Sequence, residues 1–181
     1  MSDTTQILLC GLGGQGVVLA GSLLGTAGFE DGMQVSGTSS YGAAARGGEC
    51  RSEVILSDGP ISFPFITRAN VLVALSQSAY DRYISWTADP DGVAFYDPAV
   101  VVPAESARQR HVPIPASEAA EKLLGTKLGA NIVMLAAVVA ETSLVKQETL
   151  ARVVSEGSPA RFKEANLKAV KLGAELVQEG A

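Results

Sequence analysis

The apolar residues of this chain fall into short unbroken runs and helical stripes, punctuated by glycine and proline. Ile7–Cys10 is apolar throughout and is followed at once by Gly11, Gly13, Gly14 and Gly16. That pattern predicts a buried strand entering a tight turn. Val17–Ala27 is then apolar nearly all round, as in a helix packed on a sheet. Gly21 and Gly25 stand four apart on one face and let that helix come close to the sheet. Met33–Ser36 reads as the returning strand, completing a βαβ unit of the usual right hand.

Further along, Glu49–Leu56 predicts another strand, closed by the turn Ser57-Asp58-Gly59-Pro60. Ile61, Phe63 and Phe65 alternate beyond it with Pro64 between, which predicts a hairpin at a sheet edge. A hairpin is antiparallel, so the sheet is expected to be mixed. Val71–Leu75 is a continuous apolar run, the signature of a buried parallel strand. A helix over Gln77–Trp86 follows, capped by Ser76 or Ser78. Val93–Tyr96 and Arg110–Ile114 read as the remaining strands. Helices are then expected over Pro115–Leu124, Ala130–Glu141, Gln147–Val154 and Pro159–Gln178, the last capped by Ser158. It aligns Phe162, Asn166, Ala169, Val170, Gly173 and Val177 along one stripe, where Asn166 needs a partner if buried. The expected fold is α/β: a three-layer Rossmann-like sandwich with a mixed, mostly parallel sheet and C-terminal helices, in a single domain over residues 1–181.

Composition narrows the function classes. A chain of 181 residues can build a sizeable core. The net charge of −5, with no dense basic stripe, argues against nucleic acid as the main partner. The start, MSDTTQ, lacks the basic and apolar segments of a signal peptide. Ile132–Ala140, the longest apolar run, is too short to span a bilayer. A cytoplasmic location is expected. Cys10 and Cys50 form no C-x-x-C pair and cannot by themselves ligate an iron–sulfur cluster or structural zinc. The lone His111 has no evident triad partner. No catalytic residue and no metal site is expected in this chain.

The glycine turn fits G-x-G-x-x-G, in which backbone N–H groups and a helix N-terminus face an anion. It fits equally a tight strand-to-helix crossover with no ligand. A dinucleotide site would place Asp or Glu after the second strand. Here Gly37, Thr38, Ser39, Ser40 and Tyr41 follow it, and Glu30 and Asp31 precede it. NAD is therefore not the expected ligand. The stretch Gly37–Gly48 reads as a long loop of functional type. Ser39, Ser40 and Tyr41 offer hydroxyls, and Arg46 offers a planar fork for phosphate or carboxylate. Gly47 and Gly48 leave that side chain unobstructed. Arg46 capping a helix or pairing with an acid inside the domain is the competing reading. The candidate anion or subunit-contact set is thus Gly11, Gly13, Gly14, Gln15, Gly16, Ser39, Ser40, Tyr41, Arg46, Gly47 and Gly48. The two segments are expected to meet as one docking surface.

Several stretches together resemble the gamma subunit of 2-oxoacid:ferredoxin oxidoreductases. These are GLGGQGVVLAGSLLGTAG at 11–28, SSYGAAARGGECRSEVILSDGPI at 39–61, NVLVALS at 70–76, LGANIVMLAAV at 128–138 and EANLKAVKLGAEL at 164–176. The 2-oxoglutarate type fits best; pyruvate, 2-oxoisovalerate and indolepyruvate types stay open. Ala43–Ala45 depart from the polar or acidic residues that such subunits often carry before the arginine. The resemblance implies a part of an enzyme that oxidatively decarboxylates a 2-oxoacid to an acyl-CoA and reduces ferredoxin, inactive alone. It implies thiamine diphosphate, magnesium and iron–sulfur clusters in partner subunits, with coenzyme A as co-substrate. The implied partners are alpha and beta subunits, with a delta subunit in some complexes, and ferredoxin through the complex; nucleic acid and membrane are not expected. Isolated, the chain is expected to be capable of forming a homodimer. The implied role is assembly together with coenzyme A access. The alternatives are a purely structural subunit and an independent nucleotide-binding oxidoreductase.

Overall fold

The computed structural model describes residues 4–42 and 47–178. In chain order the elements are β1 (Thr4–Leu12), α1 (Val17–Glu30), β2 (Gln34–Tyr41), β3 (Glu49–Ser57), β4 (Val71–Ala74), α2 (Gln77–Tyr83) and a 3₁₀ turn (Ile84–Trp86). They continue with β5 (Val93–Tyr96), β6 (Arg110–Pro113), α3 (Ala116–Leu124), α4 (Ala130–Thr142), α5 (Gln147–Gly157) and α6 (Ala160–Gln178). Among the described residues the strands form one sheet of order β2-β3-β1-β4-β5-β6. β1, β4, β5 and β6 are parallel, and β3 runs antiparallel to both β1 and β2.

The expected mixed sheet is present, but its antiparallel part lies elsewhere than the sequence suggested. The hairpin is β2–β3, and Gly37–Tyr41, read as loop, is strand. Both faces of this edge strand are largely solvated, so it shows no alternation of apolar residues. Ile61–Phe65 is not a strand. Its chain crosses the sheet as a strap: the Ser36 hydroxyl donates to the Pro64 carbonyl (2.8 Å), and Gln6 Oε1 accepts from the Thr67 and Arg68 amides (2.6 and 3.2 Å). β1 and β2 are parallel, yet β3 lies between them, so the first βαβ unit is split.

Alternation in the central strands divides the core. Ile7, Leu9, Val71, Val73 and Phe95 face the helices α1, α3, α4, α5 and α6. Leu8, Cys10, Leu72, Ala74 and Ala94 face α2 with Tyr80 and Tyr83. The layers are therefore unequal. α1 reaches the sheet because a side chain at Gly21 would strike the Ser52 hydroxyl, as the glycine spacing predicts. Gly173 does the same between helices: its Cα hydrogens face the Val133 carbonyl of α4. Asn166 finds its partner in the Ser158 hydroxyl (2.8 Å). Ser158 does not cap α6 through its side chain; its hydroxyl donates to Val154 O (2.6 Å) and closes α5. Phe162 heads the stripe but stays exposed.

Candidate functional site

The glycine turn sits at the carboxyl ends of the parallel strands, where open α/β sheets place ligands. Its shape is fixed from two sides. Gln15 Oε1 accepts from the Leu12 amide (2.6 Å), and Gln15 Nε2 donates to the Leu75 carbonyl (2.7 Å). One side chain thereby joins the ends of β1 and β4. A Cβ on Gly11 would lie 2.5 Å from Gln15 Oε1, so the glycine makes room for the bridge. Gly16 caps α1 at φ 76°, in the left-handed region that glycine tolerates. Its carbonyl accepts from Asn131 Nδ2 (3.2 Å), which ties the start of α1 to the start of α4.

Helix α4 also begins on a left-handed glycine, Gly129, and neither α1 nor α4 carries a side-chain cap. Both N-termini, with their positive dipole ends, open onto one cleft of about 600 Å³. Lys127 and Thr126 stand at its wall, and Leu19, Val100 and Leu128 form an exposed apolar rim. Asp97, buried at the end of β5, also borders it. Its carboxylate is already occupied, accepting from the Ala99 amide (3.0 Å) and the Ser117 amide at the start of α3 (2.7 Å). Asp97 is absent from the sequence-derived candidates; an acid directly after a strand, in Asp97-Pro98, was the available signal.

The turn and the segment after β2 do meet. Gly13 N–H donates to Gly48 O (2.7 Å), and Gly47 N–H to Gly13 O (3.3 Å). Arg46 and Ala43–Ala45 lie outside the described residues. The three hydroxyl residues do not act as a set. Ser39 turns toward α1, with its hydroxyl 3.3 Å from that of Ser52. Ser40 and Tyr41 border a separate hollow of about 230 Å³ with Glu49, Arg51, Arg82 and Tyr83. There Glu49 accepts from Arg82 (2.5 Å) and from the Tyr83 hydroxyl. Burial and the Glu49 bond both push the Tyr83 phenol above its usual range. Arg51 Nε lies 3.1 Å from Glu53 Oε1 but off the N–H axis, an ion pair without a hydrogen bond. Gln15, expected at the docking surface, borders the cleft while its amide bridges Leu12 and Leu75.

A split βαβ unit with a glycine corner and four C-terminal helices has known counterparts. The family model described as pyruvate ferredoxin/flavodoxin oxidoreductase matches residues 6–176. The chain belongs to this family. It is 37% identical over 97% of its length to the 2-oxoglutarate synthase subunit KorC of Methanothermobacter thermautotrophicus, covering 96% of that protein. It is 36% identical to the Methanocaldococcus jannaschii subunit of the same name, covering 96% of this chain and 94% of that one. The solved gamma subunit of a keto/oxoacid ferredoxin oxidoreductase from Geobacter sulfurreducens superposes with a TM-score of 0.85 at 34% identity. That match covers 97% of this chain and 99% of the other.

Membership gives the remaining sequence-marked residues a structural context. The Cys10 thiol is driven far above its ordinary pKa by burial, with the Glu49 charge adding to it, and is inert packing. Cys50 is buried on the other face of the sheet. His111 is a strut: Nδ1 donates to Gln109 O (2.7 Å), which leaves Nε2 to accept from the buried Tyr80 hydroxyl (2.9 Å). Among the described residues no group of three His, Cys, Asp or Glu side chains is placed to hold a metal ion. Among them, too, no helix is long and apolar enough to cross a membrane.

Proposed function

We propose that this chain, as a single domain over residues 1–181, is the gamma subunit of a multisubunit 2-oxoacid:ferredoxin oxidoreductase acting on 2-oxoglutarate. In this reading the thiamine diphosphate, magnesium and iron–sulfur clusters sit in the alpha, beta and further subunits. Its own task is to dock on those subunits and to form one wall of the path that coenzyme A takes. One observation carries the coenzyme A part: two glycine-capped helix N-termini and Lys127 face a single cleft. A pyrophosphate there meets backbone N–H groups, two helix dipoles and an ammonium. Arg46 is the second charge contact of this proposal. The names of the KorC relatives support the choice of 2-oxoglutarate.

Calorimetric titration of coenzyme A into the chain and into the reconstituted complex tests this. Lys127→Ala is expected to weaken coenzyme A binding to the complex about tenfold, the loss of one charge-assisted contact. Unchanged affinity and unchanged coenzyme A KM in that variant and in Arg46→Ala would refute it. The apolar rim of Leu19, Val100 and Leu128 favours a second reading, in which the cleft is filled by a partner subunit alone. Absence of heat from both preparations would select that reading.

A further inference from the structure

The two edges of the sheet are unlike. The β6 edge carries the usual protection against strand pairing: four residues, a charged Arg110 bound to Glu141 (2.7 Å) and Pro113. The β2 edge carries none. Its eight residues, QVSGTSSY, hold no charge and no proline, and its register with β3 runs without a bulge from Gln34↔Ser57 to Tyr41↔Cys50. The pairing phase is fixed by the Gly42 amide, which donates to Glu49 O (2.7 Å). Gln34, Ser36, Thr38 and Ser40 therefore turn their backbone groups toward β3. Val35, Gly37, Ser39 and Tyr41 turn theirs outward, because the direction alternates along an antiparallel pair. Among the described residues no other backbone group meets them.

We propose that this edge pairs antiparallel with the β2 edge of a second copy of the chain, about a two-fold axis at Thr38, joining two sheets into one. The outward pattern is self-complementary in that register. Val35 stands opposite Tyr41 of the second copy, and Gly37 opposite its Ser39. Each pair exchanges two backbone hydrogen bonds. Tyr41, 69% exposed in the single chain, meets a β-branched residue, one of the favourable cross-strand pairs. With no charge on the strand, two copies face each other without like-charge opposition. Among the described residues the edge is open on the α1 side, where Ser22, Gly25, Thr26, Gly37 and Ser39 line a hollow of about 320 Å³. On the other side the Ser36–Pro64 bond carries the exposed, edge-to-face Phe63–Phe65 pair beside the strand, supplying apolar surface to the junction. A two-fold dimer is also the commonest closed assembly. The proposal is independent of what the glycine cleft binds.

Sedimentation of the purified full chain is expected to give a particle of twice the 18.7 kDa chain mass. Ser39→Pro removes one outward N–H per copy and leaves the β3 ladder intact. It is expected to raise the dimer dissociation constant at least 30-fold with an unchanged circular dichroism spectrum. Thr38→Cys lies on the axis, in a non-hydrogen-bonded pair with Cα atoms about 4.5 Å apart, within disulfide reach. It is expected to give a covalent dimer on mild oxidation. Ser36→Cys lies two residues off the axis on the same face, facing Ser40 of the other copy, and is expected to stay uncrosslinked. A monomer at all concentrations overturns the proposal, as does a dimer in which Thr38→Cys crosslinks no better than Ser36→Cys. If Ser39→Pro fails to fold, the cysteine pair decides alone.

Discussion

Replacing Gln15 tests whether the glycine corner is held by a side chain rather than by its backbone alone. The amide makes two hydrogen bonds, to the Leu12 N–H at 2.6 Å and the Leu75 carbonyl at 2.7 Å. Neutral hydrogen bonds contribute about 1 kcal/mol each net of water. Gln15→Ala removes both, and the cleft beside them is open enough for water to reach the freed groups, so the larger penalty for dry orphans does not apply. The expected loss is about 2 kcal/mol, or about 4–8 °C in Tm for a chain of this size. Gln15→Glu separates the two bonds. Its carboxylate still accepts from Leu12, but its second oxygen faces the Leu75 carbonyl with no proton between. The fold then favours the protonated acid and raises its pKa above the unfolded value of about 4.3. Stability relative to wild type is best below pH 4.3, falls as pH rises through the window up to the raised folded value, and is flat above it. Urea titrations followed by circular dichroism at pH 4 and pH 7, with constant m, measure both effects. A loss under about 0.5 kcal/mol for the alanine variant, together with a pH-independent glutamate variant, would refute the bridge.

Other consequences are as direct. Gly173→Ala would gain about 1 kcal/mol of helix propensity in isolation. Here the new methyl meets the Val133 carbonyl and lies 2.8 Å from Ala136 Cβ, so α4 and α6 must part, at about 1–3 kcal/mol. The expected net result is a lower Tm, and a higher one would show that the helices separate freely. Asp31 closes α1 and also holds the start of α5, accepting from the Lys146 amide and the Thr149 hydroxyl (both 2.7 Å). Burial alone would raise its carboxyl, but these two donors, helped by the Lys146 and Arg152 charges, outweigh it and lower the pKa. Its contribution is therefore full above the unfolded pKa of about 3.9 and is lost as pH falls through the lower folded value. Asp31→Ala should destabilise by about 1 kcal/mol at pH 7, and that gap should narrow in thermal melts as pH is lowered below the unfolded pKa of about 3.9.

Some of this protein was decided locally. Ile7–Cys10, Val71–Leu75 and Val93–Tyr96 are strands because short, wholly apolar runs must be buried on both faces. Val17–Ala27 and the run after Ala130 are helices because their apolar positions continue for three turns without a proline. The glycine corner was equally plain, since consecutive glycines mark a turn whatever surrounds them. Other features belong only to the folded chain. Gly37–Tyr41 is strand because Cys50–Val54 lies beside it to accept the pairing, while its own polar side chains describe a solvated segment. Ile61–Phe65 alternates like a strand yet finds no partner edge, so its aromatics end on a strap. The bridging amide of Gln15 and the link from Asn131 to Gly16 join residues 60 and 115 positions apart. Local pattern measures what a segment prefers by itself. Pairing across such distances depends on which backbone groups the packed core leaves facing each other.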